Sequence, residues 1–345
     1  MEAILAQAIK LTAVLRKTVV PWNPEEPHSQ PYHTFDTESS SWISKSPAVD
    51  VPQDNHTSEI TNIALFSWNI DFLLPFAETR MKSALAHLNH LTNPESLSSA
   101  TAPVIFFQEC TSSDLNTIVA TPWVRERFQL ADVDSTNWAT THYGTTVLLD
   151  SRLTITGAFR VHYSKTRMDR DALFIDVSIG PDPRRIRLCN THLESMAFDP
   201  SFRPSQVQVI ARHMHENNVH AALAAGDFNA IQPFDRTLHL DNNLKDAFLE
   251  QGGKEDTNEG FTWGQQAATN LRKQFGCSRM DKVYFCGDVK LVKFERFGKD
   301  VLVEGDDEAK QIVGLGFDKA WITDHLGVMA IVEVVPRTAK DVRLS

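Results

Sequence analysis

Short unbroken apolar runs alternate along this chain with segments whose apolar residues recur every three or four positions. The first pattern predicts buried strands, and the second predicts helices that pack by one face. Strands are expected near 63–66, 104–107, 128–132, 143–149, 172–179, 187–192, 220–226, 279–285 and 328–335. Helices are expected where Ala77, Met81, Ala84, Leu85, Leu88 and Leu91 share a face, from Pro204 through Met214, and over 244–249. Many short strands with few helices between them indicate mixed sheets rather than a run of alternating βαβ units.

Ahead of this pattern, residues 3–19 place Ile4, Leu5, Ala8, Ile9, Leu11 and Leu15 at helical spacing, with Lys10, Arg16 and Lys17 between them. An amphipathic helix docked on the domain and a transit peptide both fit. Residues 21–58 are rich in Pro, Ser, Thr, His and Glu, with Tyr32, Phe35, Trp42 and Ile43 as anchors. They read as an extended arm, lying across the domain or partly disordered. The expected division is therefore a helix and arm over 1–60, one large domain over 61–336 and a tail over 337–345.

Composition narrows the class only a little. At 345 residues and 42% hydrophobic the chain has material for a sizeable core. A net charge of −10 argues against nucleic-acid binding over the whole surface but leaves room for a local basic groove. The four cysteines, Cys110, Cys189, Cys277 and Cys286, show no CxxC spacing and read as free thiols in a reducing compartment. No 18-residue apolar run and no secretory signal are evident, so an intracellular protein of the nucleus or cytoplasm, assumed monomeric, is expected.

The candidate chemistry collects where strands end. Asn69 and Asp71 follow one strand, Glu109 follows four apolar residues, and His192 closes another strand ahead of Glu194 and Ser195. Asp227 and Asn229 stand two apart after Gly226, Asp281 opens a strand, and Asp324-His325 precedes the last one. On an extended backbone, residues two apart face the same side. A carboxylate can align and deprotonate a water, and a Glu leaving an apolar run calls for a cation such as Mg²⁺. Each cluster alone is also ordinary turn or strand-end chemistry. Trp263 is either core or a flat wall for an aromatic group.

SWNID, FFQEC, NTHLES, AAGDFNA, RMDKVYF and ITDHLG occur in that order over about residues 62–335 and resemble the endonuclease/exonuclease/phosphatase (DNase I-like) superfamily. Within it the chain is most similar to the type-2 tyrosyl-DNA phosphodiesterases, whose pattern Arg80 and Met168-Asp169-Arg170 also fit. The resemblance implies an α/β fold, a four-layer sandwich of two packed mixed sheets flanked by helices, with the site at the strand ends. It implies Mg²⁺, with Mn²⁺ as a substitute, on Glu109 with Asp71 and Asn69. It further implies Asp227 and Asn229 on the attacking water, with His192 and His325 on the phosphate oxygens. Asp281 would orient His325 beside Asp324, while Ser195, Trp263, Tyr143, Arg170 and Arg203 would meet the substrate. Met196-Ala197 stand where those enzymes carry Thr-Arg after HLES, which makes Arg203 the nearest substitute. The implied activity is metal-dependent phosphodiester hydrolysis at 5′-phosphotyrosyl or single-stranded DNA ends. The same chemistry on a small phosphate ester, a ribonucleotide or a phospholipid headgroup, or a non-catalytic binding module, stays open. A positive groove beside Trp263 would favour DNA, and a closed pocket would favour the small ester.

Overall fold

A computed structural model describes residues 16–47, 60–179 and 184–335. The helix expected over 3–19 lies outside these residues except for 16–19, and so do 48–58 of the arm and the 337–345 tail. In chain order the described strands are β1 (Pro27–Ser29), β2 (Tyr32–Asp36), β3 (Ser41–Lys45), β4 (Asn62–Asn69), β5 (Thr101–Cys110), β6 (Phe128–Leu130) and β7 (Gly144–Asp150). They continue as β8 (Thr154–His162), β9 (Asp171–Ile179), β10 (Arg184–His192), β11 (Ala221–Asp227), β12 (Lys245–Asp246), β13 (Asp281–Gly287), β14 (Val289–Phe297) and β15 (Gly327–Val334).

These strands make two mixed sheets, ordered β1-β8-β9-β10-β11-β13-β12 and β14-β15-β4-β5-β7-β6-β2-β3. The sheets pack face to face over a core that includes Ile63, Leu65, Val104 and Phe106 from one and Leu173, Ile175, Leu188 and Leu223 from the other. Helices cover both outer faces. Ala77–Thr92 and Ser112–Ala120 bury Met81, Leu85, Leu88, Leu115 and Ile118 against the second sheet. Arg203–Met214 buries Val207, Ile210 and Met214 against the first. The result is the four-layer α/β sandwich that the resemblance implies.

Each sheet holds one parallel pair, β4–β5 and β10–β11, because the intervening helix returns the chain across the outer face. The carboxyl ends of these four strands lie at Asn69, Cys110, His192 and Asp227. The antiparallel neighbour β13 starts there too, with Asp281 in register with Asp227. Strand ends therefore gather in one place, from segments far apart in sequence.

One local expectation changes. Residues 244–249 are not one helix, because the Asp246 carboxylate accepts from the N–H groups of Phe248 and Leu249. That cap starts a single turn, Ala247–Glu250, and leaves Lys245–Asp246 extended as β12. Strands β8 and β14 carry no clean alternation and are visible only through their pairing with β9 and β15. Residues 27–45 supply β1 on the edge of one sheet and β2–β3 on the edge of the other.

One buried cation ties the site end together. Arg80, fully buried on its helix, makes hydrogen bonds to no carboxylate among the described residues. It donates to the carbonyls of Pro75 (2.9 Å), Ile70, Ile322 (2.8 Å), Asp71 (2.9 Å) and Leu74 (3.0 Å). The loop after β4 is thereby joined to the loop before β15. Arg80→Met would strand several buried carbonyls and should lower the unfolding free energy by about 3 kcal/mol or more. Arg80→Lys, with three donors for five acceptors, should lose less. Urea denaturation measures both, and a loss below about 1 kcal/mol for the methionine variant would count against the tie.

Candidate active site

Backbone geometry first turns the carboxylates toward a common cleft. Regular pairing of β5 with β7 breaks between Phe107 and Cys110, and Glu109 in that bulge takes a left-handed φ of 59°. A bulge re-aims a side chain that would otherwise follow the pleat. Asp71 (φ 57°) and Asn229 (φ 46°) are left-handed as well. Alternation thus ends at Asn69 and at Asp227, and the residues two further on are placed by turns and not by an extended chain. Gly226 solves a different problem: a Cβ there would lie 1.8 Å from the carbonyl oxygen of Thr191. Only glycine lets β10 and β11 approach so closely, with His192 and Asp227 in register.

Asp227 is the hub. Its Oδ2 accepts from Asn69 Nδ2 at 3.0 Å and lies 3.4 Å from His192 Nε2 and 3.8 Å from His325 Nε2. Its Oδ1 accepts from the Asn229 N–H at 2.8 Å. Burial alone would raise its pKa, but His325 and His192 outweigh this and hold the carboxyl well below the usual range. Asn69 is engaged at both ends, since its Oδ1 accepts from the Asp71 N–H at 2.9 Å. Asn229 turns its amide away to donate to Leu193 O at 3.0 Å.

The two histidines differ in charge. The Arg170 guanidinium donates to His192 Nδ1, and a guanidinium cannot accept. That nitrogen must therefore carry a lone pair, which leaves His192 neutral with its proton on Nε2. Burial first, and then Arg170, hold its pKa below the ordinary value. His325 faces three carboxylates: Asp281 at 2.8 Å on Nδ1, with Asp227 and Asp324 each 3.8 Å from Nε2. Burial opposes protonation there, yet Asp281, Asp227 and Asp324 push its pKa well above normal. Burial also moves Asp281 up to about 6, against the pull of His325.

The remaining candidates divide. Glu109, Asp71, Ser195, Trp263 and Asp324 line one cleft of about 640 Å³ with Asp227, Asn229 and His325. Trp263 Nε1 donates to Asp324 Oδ2 at 2.6 Å. Tyr143 and Arg170 lie behind His192, not in this cleft: the Tyr143 hydroxyl donates to Met168 O at 2.7 Å, and Arg170 sits over its ring. Arg203 is 1% exposed and is consumed by Asp235, Gln232 and the carbonyls of Glu194 and Met196. It braces the loop after His192 and does not replace an arginine at the phosphate. Sequence reasoning passed over Gln108, whose polar side chain closes an apolar run, and Thr262, which accepts from the N–H groups of Met280 and Asp281.

Whether a divalent ion fits can be judged from the donors. Burial and repulsion from Asp324 and Glu109 push Asp71 well above its ordinary range, so the cluster is short of positive charge. Among the described residues no three His, Cys, Asp or Glu side chains are arranged to enclose an ion. Mg²⁺ needs no such cage, because it takes one or two carboxylates and fills its other positions with water and phosphate oxygens. The hard oxygens of Glu109 and Asp71 fit that demand, and one lone pair of Asn69 Oδ1 is left over.

The model of the Endonuclease/Exonuclease/phosphatase family matches residues 66–325. Among solved structures, a truncated Caenorhabditis elegans TDP2 aligns at 21% identity and a TM-score of 0.58, covering 79% of this chain and 97% of that one. A D. rerio TDP2 complexed with single-strand DNA product aligns at 16% identity and 0.57, covering 79% and 99%. The human Nocturnin catalytic domain with bound sulfate anion aligns at 12% and 0.54, covering 79% and 95%. At these identities the likeness is one of fold. No curated protein sequence matches the chain. With the family model spanning β4 to His325 and all six polar strand ends gathered around Asp227, the chain belongs to the endonuclease/exonuclease/phosphatase family, a family of hydrolytic enzymes.

Proposed function

We propose that this chain is a Mg²⁺-dependent phosphodiesterase acting on diesters with an aryloxide leaving group, 5′-phosphotyrosyl ends of single-stranded DNA first among them. The observation that carries the reading is the charge pattern around Asp227: an ionised carboxylate between a neutral and a cationic imidazole, beside two carboxylates short of a cation. The fold shared with TDP2 structures, one of them holding single-strand DNA product, supports the choice of substrate.

Water attacks phosphorus in line, the bond from phosphorus to the tyrosyl oxygen breaks, and the tyrosine departs as phenolate. A phenolate has a conjugate-acid pKa of about 10, so it leaves with little help from a general acid. Asp227, held in place by Asn69 and the Asn229 N–H, orients the water and takes up its proton as the new bond forms. A carboxylate this acidic is a better aligner than base, so positioning carries more of the rate than proton transfer. His192 Nε2–H and the His325 imidazolium supply donors where charge builds on the non-bridging oxygens. Glu109 and Asp71 would hold the ion, which when bound supplies Lewis-acid charge at the phosphate.

A second reading keeps the chemistry and changes the substrate to a small phosphate ester. The cleft walls favour it, because beside Trp263 lie Leu271, Phe275 and Cys277 instead of cations.

Tyrosine release from a 5′-phosphotyrosyl oligonucleotide should require Mg²⁺, stop with EDTA, and fall by about 10³-fold in Glu109→Gln and in Asp227→Asn. Turnover of aryl phosphodiesters without release from the oligonucleotide would select the second reading, and silence on both would leave a binding module. The pH profile checks His325 separately. An imidazolium with a raised pKa stays charged until pH passes that value, so activity that needs it is lost on the alkaline side. Asp281→Asn removes an anion that raises this pKa, and the alkaline limb of kcat/KM should move to lower pH. An unmoved limb would assign it to another group.

A further inference from the structure

Among the described residues, every Lys or Arg that lines the cleft is already paired. Seven carboxylates of these residues line it against three such cations, Arg236, Arg279 and Lys282. Arg236 lies 2.7 Å from Asp256, Arg279 pairs with Glu255 and with Asp246 at 2.8 Å, and Lys282 lies 3.3 Å from Glu255. Arg279 and Lys282 are 4% and 1% exposed, so their charge is directed into these pairs. Burial opposes ionisation of Glu255, yet Arg279 and Lys282 hold its pKa down to about 2. One wall of the cleft is apolar, with Leu271 and Cys277 beside Trp263 and Phe275, and Leu73 and Ile231 are exposed at its lining, while Ser195, Asn229, Gln232 and Ser278 add uncharged polar groups.

A site that reads a strand through its backbone needs unpaired cations, since neutralising Z phosphates of a single strand gives a salt slope of about −0.7Z. Here Z from the cleft is close to zero. We infer that Glu255 and Asp256 are specificity-determining residues that quench the cleft's cations and confine recognition to one terminal phosphodiester with the flat or apolar group beside it. The substrate class is accordingly short, and additional nucleotides bring no affinity. The inference rests on the phosphodiesterase reading above.

The test compares an aryl ester of a 5′-mononucleotide with the same ester on a long single-stranded oligonucleotide, across salt concentration, for the wild type and Asp256→Asn. Asparagine tolerates the left-handed φ of 58° at this position, and loss of an exposed pair costs little stability. The wild type should turn over both esters within about threefold of each other, with kcat/KM nearly flat in salt. Asp256→Asn frees Arg236 and should raise the oligonucleotide-to-mononucleotide ratio about fivefold, with a slope moving toward about −0.7 for the longer ester. A wild-type preference of about tenfold or more for the oligonucleotide with a steep slope, or no change in Asp256→Asn, would overturn the inference. Hydrolysis of neither ester would instead sink the phosphodiesterase reading. Fluorescence anisotropy of a labelled oligonucleotide decides the strand question without turnover: weak, salt-insensitive binding by the wild type that Asp256→Asn strengthens supports the inference. Tight, salt-sensitive wild-type binding refutes it.

Discussion

Gln108 on β5 donates to Asn190 Oδ1 on β10 at 2.8 Å and to Ser67 on β4 at 3.1 Å. Asn190 in turn donates to the carbonyls of Phe107 (3.0 Å) and Thr146 (2.8 Å). Both amides are fully buried between the sheets, where an unpaired polar group costs about 1–3 kcal/mol. Apolar side chains accept many sheet offsets, whereas a slip of the sheets would break these amide bonds, although Gln108 Oε1 itself meets no partner among the described residues. Glu109 follows Gln108 directly and His192 stands two residues beyond Asn190, so the same bonds that fix the offset bring them to 3.7 Å. The position of these two polar groups is thus a consequence of how the core is closed.

The charge asymmetry of the two histidines grows from that placement. Each stands near Asp227, yet one is backed by a guanidinium and the other by a carboxylate. Backing by Arg170 forces His192 neutral and directs its one proton toward Asp227. Backing by Asp281 keeps His325 cationic. The cleft therefore presents two imidazole donors of unequal strength, set by their neighbours within the fold.

Strain sits beside this order. Left-handed backbone at Asp71, Glu109 and Asn229 is disfavoured by roughly 1–2 kcal/mol per residue. It persists because each turn is tied from outside: Arg80 at the Asp71 carbonyl, the Phe72 N–H on Glu109 Oε2, and Leu193 O on the Asn229 amide. Thr323 donates to Asn69 O at 2.8 Å and Trp68 donates to His325 O at 3.1 Å, which joins the last loop to β4. The site is rigid through backbone ties that carry no chemistry of their own.

Apolar periodicity by itself determined most strands and the two long helices, because burial of one face is a local property of the chain. Polar residues at strand ends likewise marked Asn69, Glu109, His192, Asp227, Asp281 and His325, whose chemistry is out of place beside apolar runs. Strands β8 and β14 were not legible, since their residues are partly exposed without alternation and the pattern is decided by the neighbours they pair with. Contact identity was equally hidden. Arg203 and Arg170 look alike in sequence, but one braces a loop through Asp235 and the other sets a histidine's proton. Tyr143 carries its hydroxyl away from the cleft, and Arg236, Arg279 and Lys282 are cations whose charge is cancelled by residues on other segments. Residue type and local pattern fix what a side chain can do. Which partner it meets depends on how two sheets stack, and only the tertiary structure decides that.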